Sequence, residues 1–599
     1  MHTHARTTRL GKVSLVVGLV GVAVAAVAAH EAPATGYELS VYAASPVVFW
    51  AGIGIALATA LVAGLSAGVQ ADVRRVSMVL AGAAVTLVVG LPVVRGYHFA
   101  GPADPLTHLG WAREIAAGTL APADLLYPGV HTLAVFEAAV FGVPLTRAIE
   151  YAVVLFVVVF LLFVPLCVGL ATGSRRGPLV GLFAALLLLP LNNVGTHLTA
   201  HPSSQAVLFL PFVLFLLFAH ASREFGERSL GAVTATGGLA ALAGTGLILV
   251  HPEEGLTLLA VLAAVVGVQT LARRYRPEGA VAAHRSLLPL FVVLSVVFLL
   301  WAPRHPRVQA GIAGVLASAA GIVEPGGEIA STAGSVAGVG GSFASLFVKL
   351  FLGSLLFSVL AAGLGLYSVS GRLDDAFPDD NALNKYLTVG MVPVVAGVVL
   401  LFLSAAGDHY FRYIGFGMVL VTLLGAAALT HLLDAGVGPP AARGTLSTVG
   451  VALLLVLTLA TVHPSPFIFQ SNDQISEAEY AGYESAFAAR QPGVEFTGIR
   501  AGQGRYADAI YGPTSETAAT FPGRSDRVPT DLRPATFGEF FDERRYVVIT
   551  ERDVERELVL YDGFRYSRET FATIRNQPGV ARVESTGEFR LYYYPDESA

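Results

Sequence analysis

The chain has 599 residues, 54% of them hydrophobic and only 14% charged, and its mean hydropathy is +0.64. Ordinary soluble domains carry about a quarter charged residues, so the composition excludes that class and points to an integral membrane protein. A formal net charge of −5 gives no reason to expect nucleic acid as a partner. The single cysteine, Cys167, lies in an apolar run and excludes both a disulfide framework and a cysteine zinc site.

Segments of about 20 apolar residues are long enough to cross a bilayer. About thirteen occur, near 12–30, 47–70, 76–94, 147–171, 178–194, 204–221, 229–250, 253–271, 286–302, 343–369, 387–404, 410–432 and 445–462. The first is basic and then apolar; a signal anchor is preferred to a cleaved signal peptide because no soluble domain follows it. Gly129–Phe141 is too short to span and is expected to be re-entrant or to lie along the interface. The loop Pro303–Ser342, rich in Gly, Ala and Ser, is expected to be a flexible lid or interfacial segment, and Gly371–Lys385 a solvated linker.

Lysine and arginine near the span ends set orientation. With the N terminus in the cytoplasm, the inner connections hold sixteen such residues, from Arg6, Arg9 and Lys12 through to Arg443, against seven elsewhere in the membrane region. The segment 96–146 then lies outside, and an odd number of spans places the C-terminal part outside as well. After Val462 the composition changes: residues 463–599 carry 22 acids against 15 arginines. Arg545–Thr550 and Phe589–Tyr594 have the pattern of strands and Arg568–Arg575 that of a short helix. The expected architecture is a polytopic α-helical membrane domain, 1–462, with a small extracytoplasmic α/β domain, 463–599.

The chemistry-bearing stretch is Tyr97–His131, YHFAGPADPLTHLGWAREIAAGTLAPADLLYPGVH. Asp104 before Pro105 has the form of a helix N-cap followed by a first-turn proline, with Gly118 closing the helix. Leu109, Ala112, Ile115 and Ala116 would form its apolar face, with Arg113 and Glu114 facing water along the membrane surface. Capping and catalysis are compatible, since an N-cap Asp keeps one oxygen free. The orientation also brings His98, His108, His131, His197, His201, His251, His305 and His409 to outer span ends, with Asp104, Glu253, Glu254 and Asp408.

The form D-x-x-x-H-x-x-W-A-R-E-I-x-x-G from Asp104, followed by Tyr127-Pro128, resembles the GT-C superfamily of membrane glycosyltransferases that use polyprenyl-phosphate sugars. The resemblance in architecture extends over about 95–462, with an extracytoplasmic C-terminal domain as many members have. The family usually places its aspartate after the first span, often in an acidic pair; here it follows the third span and precedes Pro105. The resemblance implies that Asp104 is the catalytic aspartate.

Transfer of a sugar from a lipid phosphate to a hydroxyl needs a base, for which Asp104 serves, and positive charge for the departing phosphate. Arg412, in GDHYFRYIGF, is the cation expected there, with His409 beside it; an interfacial belt anchoring a helix is the other account. His108, Tyr127, His131, His201 and Glu253 complete the expected substrate-binding set. His197 and His201 are four apart, as metal ligands on a helix would be, but Pro202 favours hydrogen-bonded loop histidines. No metal ligands are assigned, and no cofactor is expected beyond a divalent metal as the one candidate. The expected partners are a polyprenyl-phosphate sugar, a glycan or protein acceptor, and membrane lipids. Lipid-linked sugar transport and an envelope scaffold are the competing functions. Transport fits less well because polar residues cluster at span ends and no internal repeat is evident. Acceptor recognition is the role expected of 463–599; deleting it without change in acceptor preference would reject that role.

Overall fold

The computed structural model describes all residues except Met1, 67–68, 224–228, 231–232, 307, 311–339, 374–380, 404–409, 436–439, 531–542, 578 and 596–599. Most of the lid expected within 303–342, and the middle of the linker within 371–385, lie outside the described residues.

The chain is a multi-pass membrane protein. Among the described residues, eight helices are long and apolar enough to cross a bilayer: Leu10–His30, Val47–Leu65, Leu145–Thr172, Pro202–Ser222, Pro252–Tyr275, Phe343–Val369, Asn381–Leu403 and Tyr410–Asp434. Shorter apolar helices, among them Ala235–Val250 and Thr448–Leu459, stand at other expected spans. Ala71–Val89 is also helical, with Asp72 in its first turn. Helices in lipid gain from close backbone approach at small residues. Gly52 shows this: a Cβ there would lie 2.4 Å from the carbonyl oxygen of Gly21 on the first helix.

The stretch 178–194 departs from expectation. Its helix, Gly177–Ala185, has nine residues, too few to span. Leu188 then takes a left-handed φ of 43°. Beyond Pro190, the Asn192 side-chain oxygen accepts from the backbone N–H groups of Val194 and Gly195 at 2.9 and 2.8 Å. An Asn side chain that satisfies the backbone locally competes with helix formation, however apolar the flanks. Gly129–Phe141 is a 13-residue helix with Val130, His131, Ala134 and Glu137 buried, while Phe136, Val140 and Phe141 are exposed.

Beyond residue 462 a four-stranded sheet runs in the order Glu495–Gly498, Arg545–Thr550, Phe589–Tyr594, Ala581–Ser585. The first pair is parallel and the others antiparallel. Arg545–Thr550 is central and β-branched, and its alternate residues feed two cores. Val547 and Ile549 pack with Phe571 and Ile574 of the helix Arg568–Asn576. Tyr546 and Val548 belong to a second cluster that continues through Phe487, Tyr483 and Tyr506 into Leu106 and Leu109. The C-terminal part therefore shares one core with the helix Asp104–Ala116, and Phe99–Ala100 pairs antiparallel with Gln474–Ile475.

That packing corrects the expected environment of Asp104–Ala116. Arg113 and Glu114 do not face water. Arg113 donates to the Tyr480 hydroxyl at 2.8 Å and to the Ala509 carbonyl at 2.9 Å. Glu114 is buried and accepts from the Thr514 backbone N–H and hydroxyl at 3.1 and 2.6 Å. An amphipathic pattern separates polar from apolar faces, but it cannot tell water from a polar protein surface.

Gly110 marks the closest approach: a Cβ there would lie 2.2 Å from the Asp508 carbonyl oxygen and 2.7 Å from Pro513. Overpacking a contact against backbone costs about 1–3 kcal/mol. Gly110→Val is accordingly expected to speed proteolysis within 463–599 in membranes by about tenfold, while Gly82→Ala, where a Cβ meets nothing within 4 Å, changes nothing.

Candidate active site

Gly101, at φ 106°, turns the chain into the Asp104 helix. Asp104 is the first helical residue, not the N-cap; Ala103 holds that position and no side chain caps the end. The Asp104 carboxylate is instead paired, Oδ1 lying 2.6 Å from a terminal nitrogen of Arg505. The other terminal nitrogen of Arg505 donates to the Thr107 hydroxyl at 2.9 Å. Thr107 in turn donates to Asp508 Oδ2 at 2.7 Å, and Arg524 grips both Asp508 oxygens at 2.7 and 2.9 Å.

One turn along, His108 faces His131, Nδ1 to Nε2 at 2.9 Å, and His131 Nδ1 lies 3.1 Å from the Tyr127 carbonyl oxygen. A carbonyl only accepts, so His131 carries its proton on Nδ1. A neutral ring then accepts at Nε2, which makes His108 the donor through Nδ1 and leaves a lone pair on His108 Nε2. Both rings are held neutral. Burial lowers His131 to about 4, with the bond to the Tyr127 carbonyl opposing. Burial lowers His108 well below the usual value, helped by His131, His201, Arg505 and His251. Trp111 packs against the His108 and His131 rings, and Tyr127 stacks on His251 with centroids 5.7 Å apart.

His251 ends one helix and starts the next, Pro252–Tyr275. Its Nδ1 is buried with no hydrogen-bond partner among the described residues. Burial, then the Arg412 charge, lowers it to about 3. Arg412 lies 3.8 Å from Glu253. His201 Nδ1 is hydrogen-bonded to the Ser204 and Ser203 hydroxyls at 3.0 and 3.2 Å, and its ring meets His197 edge-on at 5.7 Å. His197 is lowered by burial and by Arg412, while the Val194 carbonyl and Asp104 act in the opposite direction. Asp104 and Arg412 thus both act on one imidazole.

Of the residues expected at a site, Asp104, His108, Tyr127, His131, His201, Glu253 and Arg412 form one connected cluster at the end of the bundle that carries the C-terminal part. His409 and Asp408 lie outside the described residues. Sequence reasoning missed Arg505, which has no motif around it and reaches Asp104 only through the fold. It also left His251 out of the set, although the His-Pro-Glu-Glu turn stands out in an apolar chain. Asp104 and Glu253 each face a guanidinium. Among the described residues, no three His, Cys, Asp or Glu side chains converge as ligands.

No protein-family model matches the sequence. No curated protein matches it either. Among solved structures, the apo oligosaccharyltransferase of Archaeoglobus fulgidus is 11% identical, with TM-score 0.49, over 87% of this chain and 74% of its own. ArnT from Cupriavidus metallidurans bound to undecaprenyl phosphate is 13% identical, with TM-score 0.45, over 88% of this chain and 98% of its own. The A. fulgidus enzyme AglB in complex with an inhibitory peptide and a dolichol-phosphate is 13% identical, with TM-score 0.45, over 86% and 74%.

The neutral histidines have a measurable consequence. Lowered in the folded state, His131 binds its proton less readily than in the unfolded chain, where it titrates near 6.5. Stability therefore falls as pH drops through 6.5 and stops falling below about 4. The stability advantage of wild type over His131→Gln, from melting in detergent, is expected to shrink by about 2 kcal/mol between pH 7 and pH 5.

Proposed function

We propose that the chain is a membrane glycosyltransferase that moves a sugar from a polyprenyl- or dolichyl-phosphate carrier to a glycan, glycoprotein or envelope acceptor. In this reading the N terminus is cytoplasmic, and the Asp104 face and domain 463–599 are extracellular. The observation that carries it is the state of Asp104. Its side chain is 48% exposed at the polar end of an apolar bundle, and its carboxylate is paired through Oδ1. The Arg505 guanidinium pairs with it, and the Asp104 charge acts on the neutral His197 ring.

The balance of the reaction assigns the parts. The acceptor oxygen attacks the anomeric carbon, the bond from that carbon to the phosphate oxygen breaks, and the phosphate leaves with the electron pair. Asp104 takes the acceptor proton through its second oxygen. Arg412 supplies fixed positive charge for the phosphate, with Glu253 orienting its guanidinium. His108, through the lone pair on Nε2, and His201 offer neutral contacts to sugar hydroxyls, and Tyr127 and His131 shape the wall behind them. No step is routed through a metal.

Removing a positioned general base costs about 10²–10⁴-fold. Asp104→Asn and Asp104→Ala, at matched protein amount and insertion, should each accumulate a glycan one sugar short by mass spectrometry of lipid-linked and protein-linked glycans. Unchanged glycans in both variants and in a full deletion would overturn the reading.

A further inference from the structure

The helix that begins at Asp104 has Ala103 at its N-cap and no side-chain cap. Arg505, on the helix Gln503–Tyr511, reaches Asp104 across the junction. Its two terminal nitrogens serve different acceptors, Asp104 Oδ1 at 2.6 Å and the Thr107 hydroxyl at 2.9 Å. Behind them stand buried groups: Thr107 is 7% exposed and Asp508 1%, and Arg524 holds both oxygens of Asp508. The line starts in the interior of the C-terminal part and ends at a half-exposed carboxylate.

We propose that Arg505 is a positioning residue of the transferase site. It holds Asp104 Oδ1 so that the second oxygen points to the acceptor hydroxyl, and the 463–599 part thereby completes the site. The inference rests on the function proposed above.

Docking alone accounts poorly for this contact. The Arg505 and Asp104 side chains are 43% and 48% exposed, and exposed ion pairs contribute little to stability. The junction is held elsewhere, by Arg113 on Tyr480 and Ala509, by Glu114 on Thr514, by the Gly110 approach and by the apolar cluster. What the exposed pair adds is orientation. A planar guanidinium engaging two acceptors fixes direction in a way that a lysine point charge does not.

The test uses full-length variants added to membranes of a deletion strain, which hold the accumulated native donor and the unextended acceptor. Mass spectrometry follows the rate of extension as the amount of membrane is varied, separating turnover from half-saturation. Misplacing a reacting group by about 1 Å costs about 100-fold. Arg505→Ala should lower turnover by about that factor with half-saturation unchanged, and Arg505→Lys should recover part of it. Arg113→Ala, which loosens the same junction away from Asp104, should leave turnover near wild type. Equal losses in Arg113→Ala and Arg505→Ala would reduce Arg505 to a docking contact and overturn the proposal. So would a change in half-saturation alone. Full turnover in Arg505→Ala while Asp104→Asn is inactive overturns the proposal and leaves the transferase reading standing. Full turnover in Asp104→Asn overturns both.

Discussion

The helix Asp104–Ala116 has to bury itself on two sides at once, and the rest of the molecule is arranged around that requirement. Leu106 and Leu109 enter the cluster that runs into the C-terminal sheet. His108 and Trp111 turn instead toward Tyr127, His131 and the helix ends of the bundle. A helix this short has little stability by itself in water. Its position is set by partners on both flanks, and the ionisable residues at its start inherit that position.

Charge in the cluster follows from burial. His108, His131, His197, His201 and His251 are all kept neutral by loss of water, with neighbouring arginines adding to the effect for His108, His197, His201 and His251. The positive charge of the cluster is thereby confined to the guanidinium groups of Arg412 and Arg505. The cluster combines two arginine-paired carboxylates, Asp104 and Glu253, with fixed cations and uncharged hydrogen-bonding rings.

The sequence made much of this legible because a bilayer imposes a length and an apolar content on anything that crosses it. The stretch 178–194 failed as a span because hydropathy weighs residues singly and misses Asn192 folding the backbone onto itself. The Asp104 helix was recognisable from its proline start and glycine end, and the histidines from their rarity among apolar neighbours. Its true surroundings were not. Arg113 and Glu114 carry no mark saying that Tyr480 and Thr514 will meet them. Arg505 resembles any surface arginine until the chain is closed in three dimensions.

The contact between Thr107 and Asp508 joins residues 401 apart in the chain. Chains emerge at about 5–20 residues per second during synthesis, so the Asp104 helix waits roughly 20 to 80 seconds for the strand and helix that will cover it. Through that interval its aspartate has no arginine and its leucines no sheet. A nascent chain that stops short of Arg505 carries the apolar helices through Tyr410–Asp434 and still lacks the completed cluster. Assembly of the site is thus a late event in the life of each molecule, timed by the synthesis of Arg505 and Asp508.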